Sequence, residues 1–232
     1  MVEFFSKATS DMNPLHFDED LYVKQKGELI YAPYPELMNN VLYANYVYMK
    51  DFFLKTQCRT AIDVGCRYGE YTHYLLKHFA QVKCFEPNSA VLHNFNRNIP
   101  KEKVQLWDCG IGEIDEIVDM SGSLVVNKIN AKLRNLAKTR SGVQICPLDS
   151  FNFSNVDFIK IDVEGQELRV LKGGKTTIMK HRPMIVIEQC GADVKWGYGN
   201  QINQAGAYLE NIGYVNTGRL KSDYVFEPEE IQ

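Results

Sequence analysis

The first segment along the chain whose pattern suits ligand binding is a glycine-containing segment. It lies directly after an apolar run. It runs from Asp63 to Tyr71, reads DVGCRYGEY, and places glycines at Gly65 and Gly69. This GxxxG spacing differs from the GxGxxG of nicotinamide-binding proteins. The acidic residue two positions before the first glycine would repel a pyrophosphate, but not a ligand that carries an ammonium or sulfonium ion. The segment therefore favours S-adenosylmethionine over a dinucleotide, and a plain glycine turn is the alternative.

Two further polar segments lie where later strands are predicted to end. Glu86, in the run CFEPN, comes about 20 residues after the glycines, where a carboxylate can accept hydrogen bonds from both hydroxyls of a ribose. Its alternative role is that of an acidic residue at a helix N-terminus. Asp108 and Cys109 follow the next predicted strand, where an adenine edge would be bound, unless they only form a turn.

The segment KIDVEG, from Lys160 to Gly165, has the residue types that catalysis needs. Successive side chains of a β-strand point to opposite faces of the sheet. Lys160, Asp162 and Glu164 therefore lie on the same face if the chain stays extended. A lysine in a buried strand needs charged partners, so structural pairing is one explanation of the two carboxylates. Glu188 ends the next predicted strand and would point into the same region. Three converging carboxylates suit a general base or a divalent cation such as Mg or Mn.

Strand and helix patterns alternate along most of the chain, which predicts an α/β fold with a mainly parallel sheet and helices on both faces. Ligands bind at the carboxyl ends of such strands, where the segments described above are expected to meet. The predicted strands are residues 60–64, 82–86, 104–107, 114–120, 143–147, 158–161, 183–188, 214–217 and 224–226. The predicted helices are residues 36–55, 70–79, 89–98, 166–180 and 201–211, and a hairpin is predicted within residues 21–34.

Together these motifs resemble the FkbM family of S-adenosylmethionine-dependent methyltransferases, over residues 60–189 and more weakly to residue 226. The resemblance lies in AIDVG and GEYT around the two glycines, FEPN at Glu86, Asn98-Ile99, the run IKIDVEGQEL followed by VLKG, and the strand from Pro183 to Glu188. It implies a Rossmann-like class I methyltransferase fold with a seven-stranded sheet. It also implies O-methylation, commonly of sugars or other secondary-metabolite hydroxyls.

One departure from the family pattern affects the glycine segment. The family usually has an Ala-Asn pair after the first glycine, and this sequence has Cys66-Arg67. Arg67 could hold the methionine carboxylate of the cofactor or could face solvent. The cofactor-binding residues that follow from the motifs are Asp63, Gly65, Cys66, Arg67, Gly69, Tyr71, Glu86, Pro87, Asp108 and Cys109.

The predicted catalytic residues are Lys160, Asp162, Glu164 and Glu188. Asp162 is the predicted general base or metal ligand, and the two glutamates would orient the acceptor or share the metal. A nearby Lys160 would lower the pKa of Asp162 and weaken it as a base, which keeps a metal site at Asp162, Glu164 and Glu188 as an open alternative.

The acceptor side is predicted to involve the parts of the chain that vary in the family. These are an N-terminal extension of residues 1–55, ahead of a methyltransferase domain of residues 56–232, and the segments 113–148 and 189–203. They contain aromatic residues that could stack on the C–H faces of a sugar, although packing against the sheet would also explain the helix tyrosines. The aromatic residues are Tyr31, Tyr34, Tyr43, Tyr46, Tyr48, Trp196 and Tyr198.

The composition limits the classes of partner and the cell compartment that we expect for this protein. The net charge is −3 and the pI is about 6.0, so no overall basic field attracts nucleic acid or anionic lipid. None of the six cysteines forms a CxxC pair, and most lie in apolar segments, as expected for reduced core residues of an intracellular protein. No signal peptide and no apolar stretch of about 18 residues is recognisable, which predicts a cytoplasmic protein without a membrane span.

These observations lead to one hypothesis and two alternatives. The hypothesis is an S-adenosylmethionine-dependent O-methyltransferase that acts on a hydroxyl of a sugar or glycan, with a deoxyhexose such as rhamnose as one candidate acceptor. The alternatives are an RNA 2′-O-methyltransferase, which would need a basic groove, and a non-catalytic S-adenosylmethionine-binding module, which would need a damaged cofactor site.

Overall fold

The computed structural model describes residues 48–119, 124–126, 142–189 and 203–231. Within these ranges the chain forms two β-sheets and a set of short helices. The strands are β1 (Thr60–Val64), β2 (Gln81–Phe85), β3 (Val104–Trp107), β4 (Gly110–Ile111), β5 (Glu116–Asp119), β6 (Leu124–Val126), β7 (Gly142–Cys146), β8 (Val156–Ile161), β9 (Met184–Glu188), β10 (Tyr214–Leu220) and β11 (Asp223–Pro228).

The larger sheet has seven strands in the order β10-β11-β9-β8-β1-β2-β3. The five strands from β3 to β9 in this order run parallel, while β11 is antiparallel to both β9 and β10. The strand order reverses between β1 and β8, which puts a ligand crevice at their carboxyl ends. The smaller sheet has the order β4-β7-β5-β6.

Helices cover both faces of the larger sheet. Residues 48–53 are helical and are named α1; the other helices are α2 (Glu70–Leu75), α3 (Ser89–Asn98), α4 (Glu167–Gly173), α5 (Lys175–His181) and α6 (Gln204–Asn211). Short 3₁₀ helices occupy Leu148–Phe151 and Glu229–Ile231. In the part of the chain that the structure describes, no helix is long and apolar enough to cross a membrane.

The apolar core has two clusters, one on each face of the larger sheet. Alternation along β1 sends Ile62 into the cluster that contains Leu171 of α4, and Ala61 into the cluster that contains Phe53 of α1. Strands β1 and β8 are buried along their whole length, as expected for central parallel strands. Their apolar character is the reason that they were recognisable from sequence.

Most predicted strands and the α/β class are confirmed, and four elements differ. The helix predicted over residues 166–180 is broken at Gly174 into α4 and α5. A Cβ at Gly173 would overlap the backbone carbonyl of Gly112, so a close approach of two backbones explains why the chain has glycine there. Helix α2 ends at Leu75 rather than at residue 79, and β4 and β6 were not predicted.

Several predictions concern residues outside those that the structure describes. They include the hairpin within residues 21–34, most of the helix over residues 36–55, Cys190, and the aromatic residues Trp196 and Tyr198. The division into an extension of residues 1–55 and a domain of residues 56–232 stays a prediction. Of the other five cysteines, all have free thiols, and four of them are buried.

Helix α1 should contribute strongly to stability through one aromatic side chain. Phe53 is fully buried, and its ring lies 5.0 Å from that of Phe158 and 5.7 Å from that of Phe79. We expect Phe53→Ala to lower the free energy of unfolding by about 3–5 kcal/mol, because it leaves a cavity against the sheet. Leu54→Ala is the control, since Leu54 is 69% exposed and should change stability by no more than about 0.5 kcal/mol. Equal effects of the two variants in urea unfolding would show that α1 does not pack as described.

Candidate functional site

The glycine loop connects β1 to α2 and is tightly enclosed by backbone. Gly65 has φ of 84°, in the left-handed region that favours glycine, and a Cβ there would overlap the carbonyl oxygen of Asp162. The N–H groups of Gly65 and Cys66 both donate to the carbonyl oxygen of Phe85, at 2.9 and 3.1 Å. The loop therefore lies between the carboxyl ends of β2 and β8, and backbone atoms rather than side chains form its inner wall.

Glu86 contacts this loop directly. Its carboxylate accepts a hydrogen bond from the Arg67 N–H at 3.0 Å and another from the Asn88 N–H at 2.8 Å. Glu86 is only 8% exposed, and burial raises its pKa. The structure thus brings together the two segments that sequence spacing had related to each other, one at the end of β1 and one at the end of β2.

The remaining loop residues differ in exposure. Cys66 is buried, whereas the Arg67 side chain is exposed, with its guanidinium 4.8 Å from the centre of the Tyr68 ring. Gly69 has φ of 93°, and its N–H donates to the Cys66 carbonyl oxygen at 2.8 Å. Burial raises the pKa of Glu70, at the start of α2, to about 7.

Asp63 is a buried carboxylate at the end of β1. It is 1% exposed, and the Thr72 hydroxyl donates to it at 2.6 Å. Burial raises the pKa of Asp63 to about 6, although the hydrogen bond from Thr72 and the charge of Lys160 act in the opposite direction. Because the hydrogen bond and Lys160 do not fully offset the cost of burying this charge, a cation bound beside Asp63 would stabilise its ionised form.

Tyr71 presents a polar atom without a partner. Its hydroxyl is buried and has no hydrogen-bond partner among the described residues, and its ring lies 5.5 Å from Lys160 Nζ. Buried hydroxyls are normally hydrogen-bonded, so the Tyr71 hydroxyl is an exception to this rule. Burial raises the pKa of Tyr71, and the negative charge of Asp223 acts in the same direction, so the hydroxyl stays a donor.

The residues expected near an adenine lie after β2 and β3. Pro87 is half-buried directly after Glu86, and Asp108 is exposed. Cys109 is buried, and a hydrogen bond with the Cys146 thiol of β7 is the main reason that its pKa is raised. Cys109 thus connects the end of β3 to the smaller sheet.

Lys160 is the central charge of the site. It is 3% exposed, and its Nζ lies 3.3 Å from Asp162 and 3.2 Å from Asp223. Burial alone would lower the pKa of Lys160, but these two carboxylates outweigh burial and raise it. The lysine is therefore always charged, and its charge is shared between the end of β8 and the start of β11.

Asp162 and Glu188 form a hydrogen-bonded pair of carboxyl groups at the ends of β8 and β9. Burial opposes the ionisation of Asp162, but Lys160 outweighs it and lowers the pKa of Asp162. Burial and the negative charge of Asp162 raise the pKa of Glu188 to about 8, against a 2.8 Å hydrogen bond from the Ser222 hydroxyl. Near neutral pH the shared proton is therefore held on Glu188.

Glu164 does not extend this cluster as alternation had predicted. Strand β8 ends at Ile161, and Glu164 is exposed in a turn with φ of 54°. The expected metal site at Asp162, Glu164 and Glu188 is not supported, since no group of three or more His, Cys, Asp or Glu side chains within the described ranges is placed to hold a metal ion. The alternation argument failed because it required an extended chain beyond the end of the strand.

Three polar residues of the site were missed by the sequence analysis. Asp223 pairs with Lys160, Ser222 with Glu188, and Thr72 with Asp63. The need of a buried lysine for a second carboxylate was a usable signal for Asp223, which precedes a predicted strand. The pairing itself depends on the register of β11 against β9, where Asp223 lies opposite Glu188.

The strand order, the glycine loop after β1 and the acidic residue after β2 define a Rossmann-like class I methyltransferase fold. The chain belongs to the FkbM methyltransferase family, because the family profile described as "Methyltransferase FkbM domain" matches residues 63–215. Family membership makes it a methyltransferase and implies binding of S-adenosylmethionine.

Two relatives show the extent of the similarity. "Methyltransferase 1" of Beauveria bassiana (strain ARSEF 2860) is 25% identical over 183 residues, which cover 66% of this chain and 71% of that protein. The crystal structure of the methyltransferase FkbM from Methylobacillus flagellatus KT superposes with a TM-score of 0.50 at 17% identity and supports the fold. That match covers 84% of this chain and 55% of the other, so the chain spans about half the length of that structure.

The raised pKa of Asp63 predicts a stability cost that depends on pH. The folded-state pKa of about 6 lies above the ordinary value of 3.8, so the unfolded chain loses this proton first and stability falls as pH rises from about 4 to 6. We expect Asp63→Asn to become more stable relative to the unchanged protein over this interval, by on the order of 3 kcal/mol. The measurement is urea unfolding of both proteins between pH 4 and 7.5, with Asp115→Asn, an exposed change, as the control. A stability difference that does not vary with pH would contradict the assignment.

Proposed function

We propose that the protein transfers the methyl group of S-adenosylmethionine to a hydroxyl of a sugar or glycan. The observation on which this rests is the carboxyl pair of Asp162 and Glu188, held beside Lys160 and next to the glycine loop. A methyl transfer to oxygen needs a group that takes up the hydroxyl proton, and this pair offers one at the carboxyl edge of the sheet.

The residues around the loop fit the cofactor. The absence of a side chain at Gly65 lets the loop pack against the carbonyl oxygen of Asp162, and Glu86 lies against the same loop, where a ribose could hydrogen-bond to it. Asp63 is a buried carboxylate with a raised pKa, and it favours a positively charged ligand over a pyrophosphate. Lys160 lies over the ring of Tyr71, whose buried hydroxyl is a donor that no described residue uses.

We assign the proton acceptor to Glu188 rather than to Asp162 alone. Asp162 is held ionised by Lys160, and its lowered pKa makes it a weak base. Glu188 has a pKa of about 8, so once it is ionised it is the stronger base of the pair. Bound S-adenosylmethionine supplies an electrophilic methyl group, and the protein supplies the base, the alignment of the hydroxyl and the exclusion of water. Alignment of this kind can lower a barrier by roughly 7–11 kcal/mol.

The choice of a sugar as the acceptor rests on the family and on charge. The net charge of −3 gives no support to a long polyanionic substrate such as RNA. The predicted acceptor-side segments fall largely in residues 1–47, 127–141 and 190–202, which lie outside the described ranges. We propose that the extension of residues 1–55 covers this side of the pocket.

Transfer of a labelled methyl group from S-adenosylmethionine to a panel of acceptors tests the function. The panel contains free deoxyhexoses, glycans with terminal deoxyhexoses, and capped RNA. We expect methylation of at least one sugar acceptor and its loss in Glu188→Gln, which keeps the size of the side chain. Methylation of the RNA alone would contradict the sugar assignment. Binding of S-adenosylmethionine without transfer to any acceptor would favour a non-catalytic module.

The pH dependence of turnover tests the assignment of the base. Because Glu188 must lose its proton before it can accept another, kcat should rise with pH and level off above about 8. Asp162→Asn removes a negative charge beside Glu188, so its midpoint should move to lower pH by about one unit or more while the plateau rate falls. The exposed Asp51→Asn change is the control and should leave the midpoint in place. An identical midpoint in the Asp162→Asn variant would exclude the pair as the titrating group.

A further inference from the structure

A surface cavity of about 350 Å³ lies at the edge of the larger sheet opposite to the glycine loop. It is formed where three neighbouring parallel strands, β8, β1 and β2, begin, and we name it the amino-edge cavity. Its lining residues are Arg59, Thr60, Ala80, Gln81, Lys83, Asn152, Phe153, Ser154 and Asn155. None of these is acidic, so the cavity has a positive or neutral lining throughout.

Lys83 is the charge in this cavity that has no anionic partner among the residues that the structure describes. Its Nζ donates to the amide oxygens of Gln81 at 2.8 Å and Gln105 at 2.7 Å, which are both neutral. An ammonium has three donors, so one N–H remains for a ligand. Partial burial lowers the pKa of Lys83. A bound anion would stabilise the charged form of the ammonium and so raise its pKa again.

Arg59 forms the rim of the cavity in a fixed orientation. Its backbone N–H donates to Asp157 at 2.7 Å and its Nε donates to the same carboxylate at 3.0 Å. Its Nη1 points towards Asn155, at 3.4 Å from the side-chain oxygen. Asp157 therefore neutralises Arg59, while the guanidinium still offers N–H groups in a constant position. The amides of Asn152 and Asn155 add further neutral polar groups to the lining.

Phe153 gives the cavity one flat apolar wall. Its ring is stacked on that of Phe151 at 5.5 Å and lies 5.4 Å from that of Trp107, which fixes its orientation. Lys83 Nζ lies 5.9 Å from the centre of the same ring. Because the ammonium lies over this ring, an anion that binds Lys83 is held close to an aromatic surface, as a ligand with an anionic end and apolar C–H groups would require.

We infer that the amino-edge cavity binds a small phosphate ester of a sugar. The phosphate would accept hydrogen bonds from Lys83 and from the guanidinium of Arg59, and the C–H face of the sugar would pack on Phe153. A volume of about 350 Å³ is at the lower end for ligand pockets and suits a single monosaccharide phosphate. The site is separate from the cofactor loop and does not depend on the proposed methyl transfer.

Calorimetric titration of the full chain with glucose 6-phosphate, glucose and inorganic phosphate tests this site. We expect saturable binding of glucose 6-phosphate with one site per chain, and no binding of glucose. Lys83→Gln should weaken the affinity roughly tenfold or more, since it removes a charge-assisted hydrogen bond. Lys175→Gln, which removes an equal charge from an exposed position on α5, should change the affinity by no more than about twofold.

Each other outcome would overturn the inference. No saturable binding of glucose 6-phosphate would exclude the site, and equal weakening by the two lysine changes would show a non-specific charge effect. If inorganic phosphate bound as tightly as the ester, the site would be one for small anions and the role given to Phe153 would be wrong. Equal melting temperatures of the two variants and the unchanged protein establish that any loss of affinity is local.

Discussion

A single buried lysine determines how the strands of this site must be arranged. Burying an ammonium without partners is prohibitive, so Lys160 needs carboxylates within contact distance. One of them, Asp162, comes from the end of its own strand, and the other, Asp223, comes from β11, two strands away in the sheet. Because β11 is antiparallel, the start of that strand lies beside the ends of β8 and β9. The charge requirement and the sheet topology thus lead to the same geometry.

The same lysine decides where protons are held at the carboxyl edge. It keeps Asp162 ionised, and burial together with the negative charge of Asp162 raises the pKa of Glu188 to about 8. The charge of Lys160 thus affects Glu188 through Asp162, since Lys160 pairs with Asp162 and Asp162 in turn raises the pKa of Glu188. A weak base and a strong base therefore arise from two similar side chains, because only one of them is paired with the cation. Asp63 adds a further buried carboxylate to this edge, which makes the whole edge better suited to a cationic ligand than to an anionic one.

Sequence patterns sufficed for the parts of the fold that are governed by local apolar runs. The central strands β1 and β8 read as continuous apolar segments because both of their faces are buried, and the loop after β1 was recognisable because Gly65 and Gly69 need positive φ. The parts that failed depend on contacts between distant segments. Asp223 becomes a site residue only through the register of β11, and the break at Gly174 follows directly on a close approach of Gly173 to Gly112. Glu164 was misplaced because a two-residue alternation does not continue into a turn.

The two edges of the larger sheet have opposite electrostatic character. The strands between them bear on whether a ligand at one edge can change the affinity for a ligand at the other. The carboxyl edge has Asp63, Asp162 and Glu188, whereas the amino edge has Lys83, which has no anionic partner within the described ranges. Coupling between two ligands requires an element with two arrangements that both ligands bias. Strands β1 and β8, which run between the two edges, are buried along their whole length and packed on both faces, and the structure gives them one arrangement. Without a second arrangement of these strands for the cofactor to favour, the ligand that we propose for the amino edge should bind with the same affinity whether or not the cofactor is present.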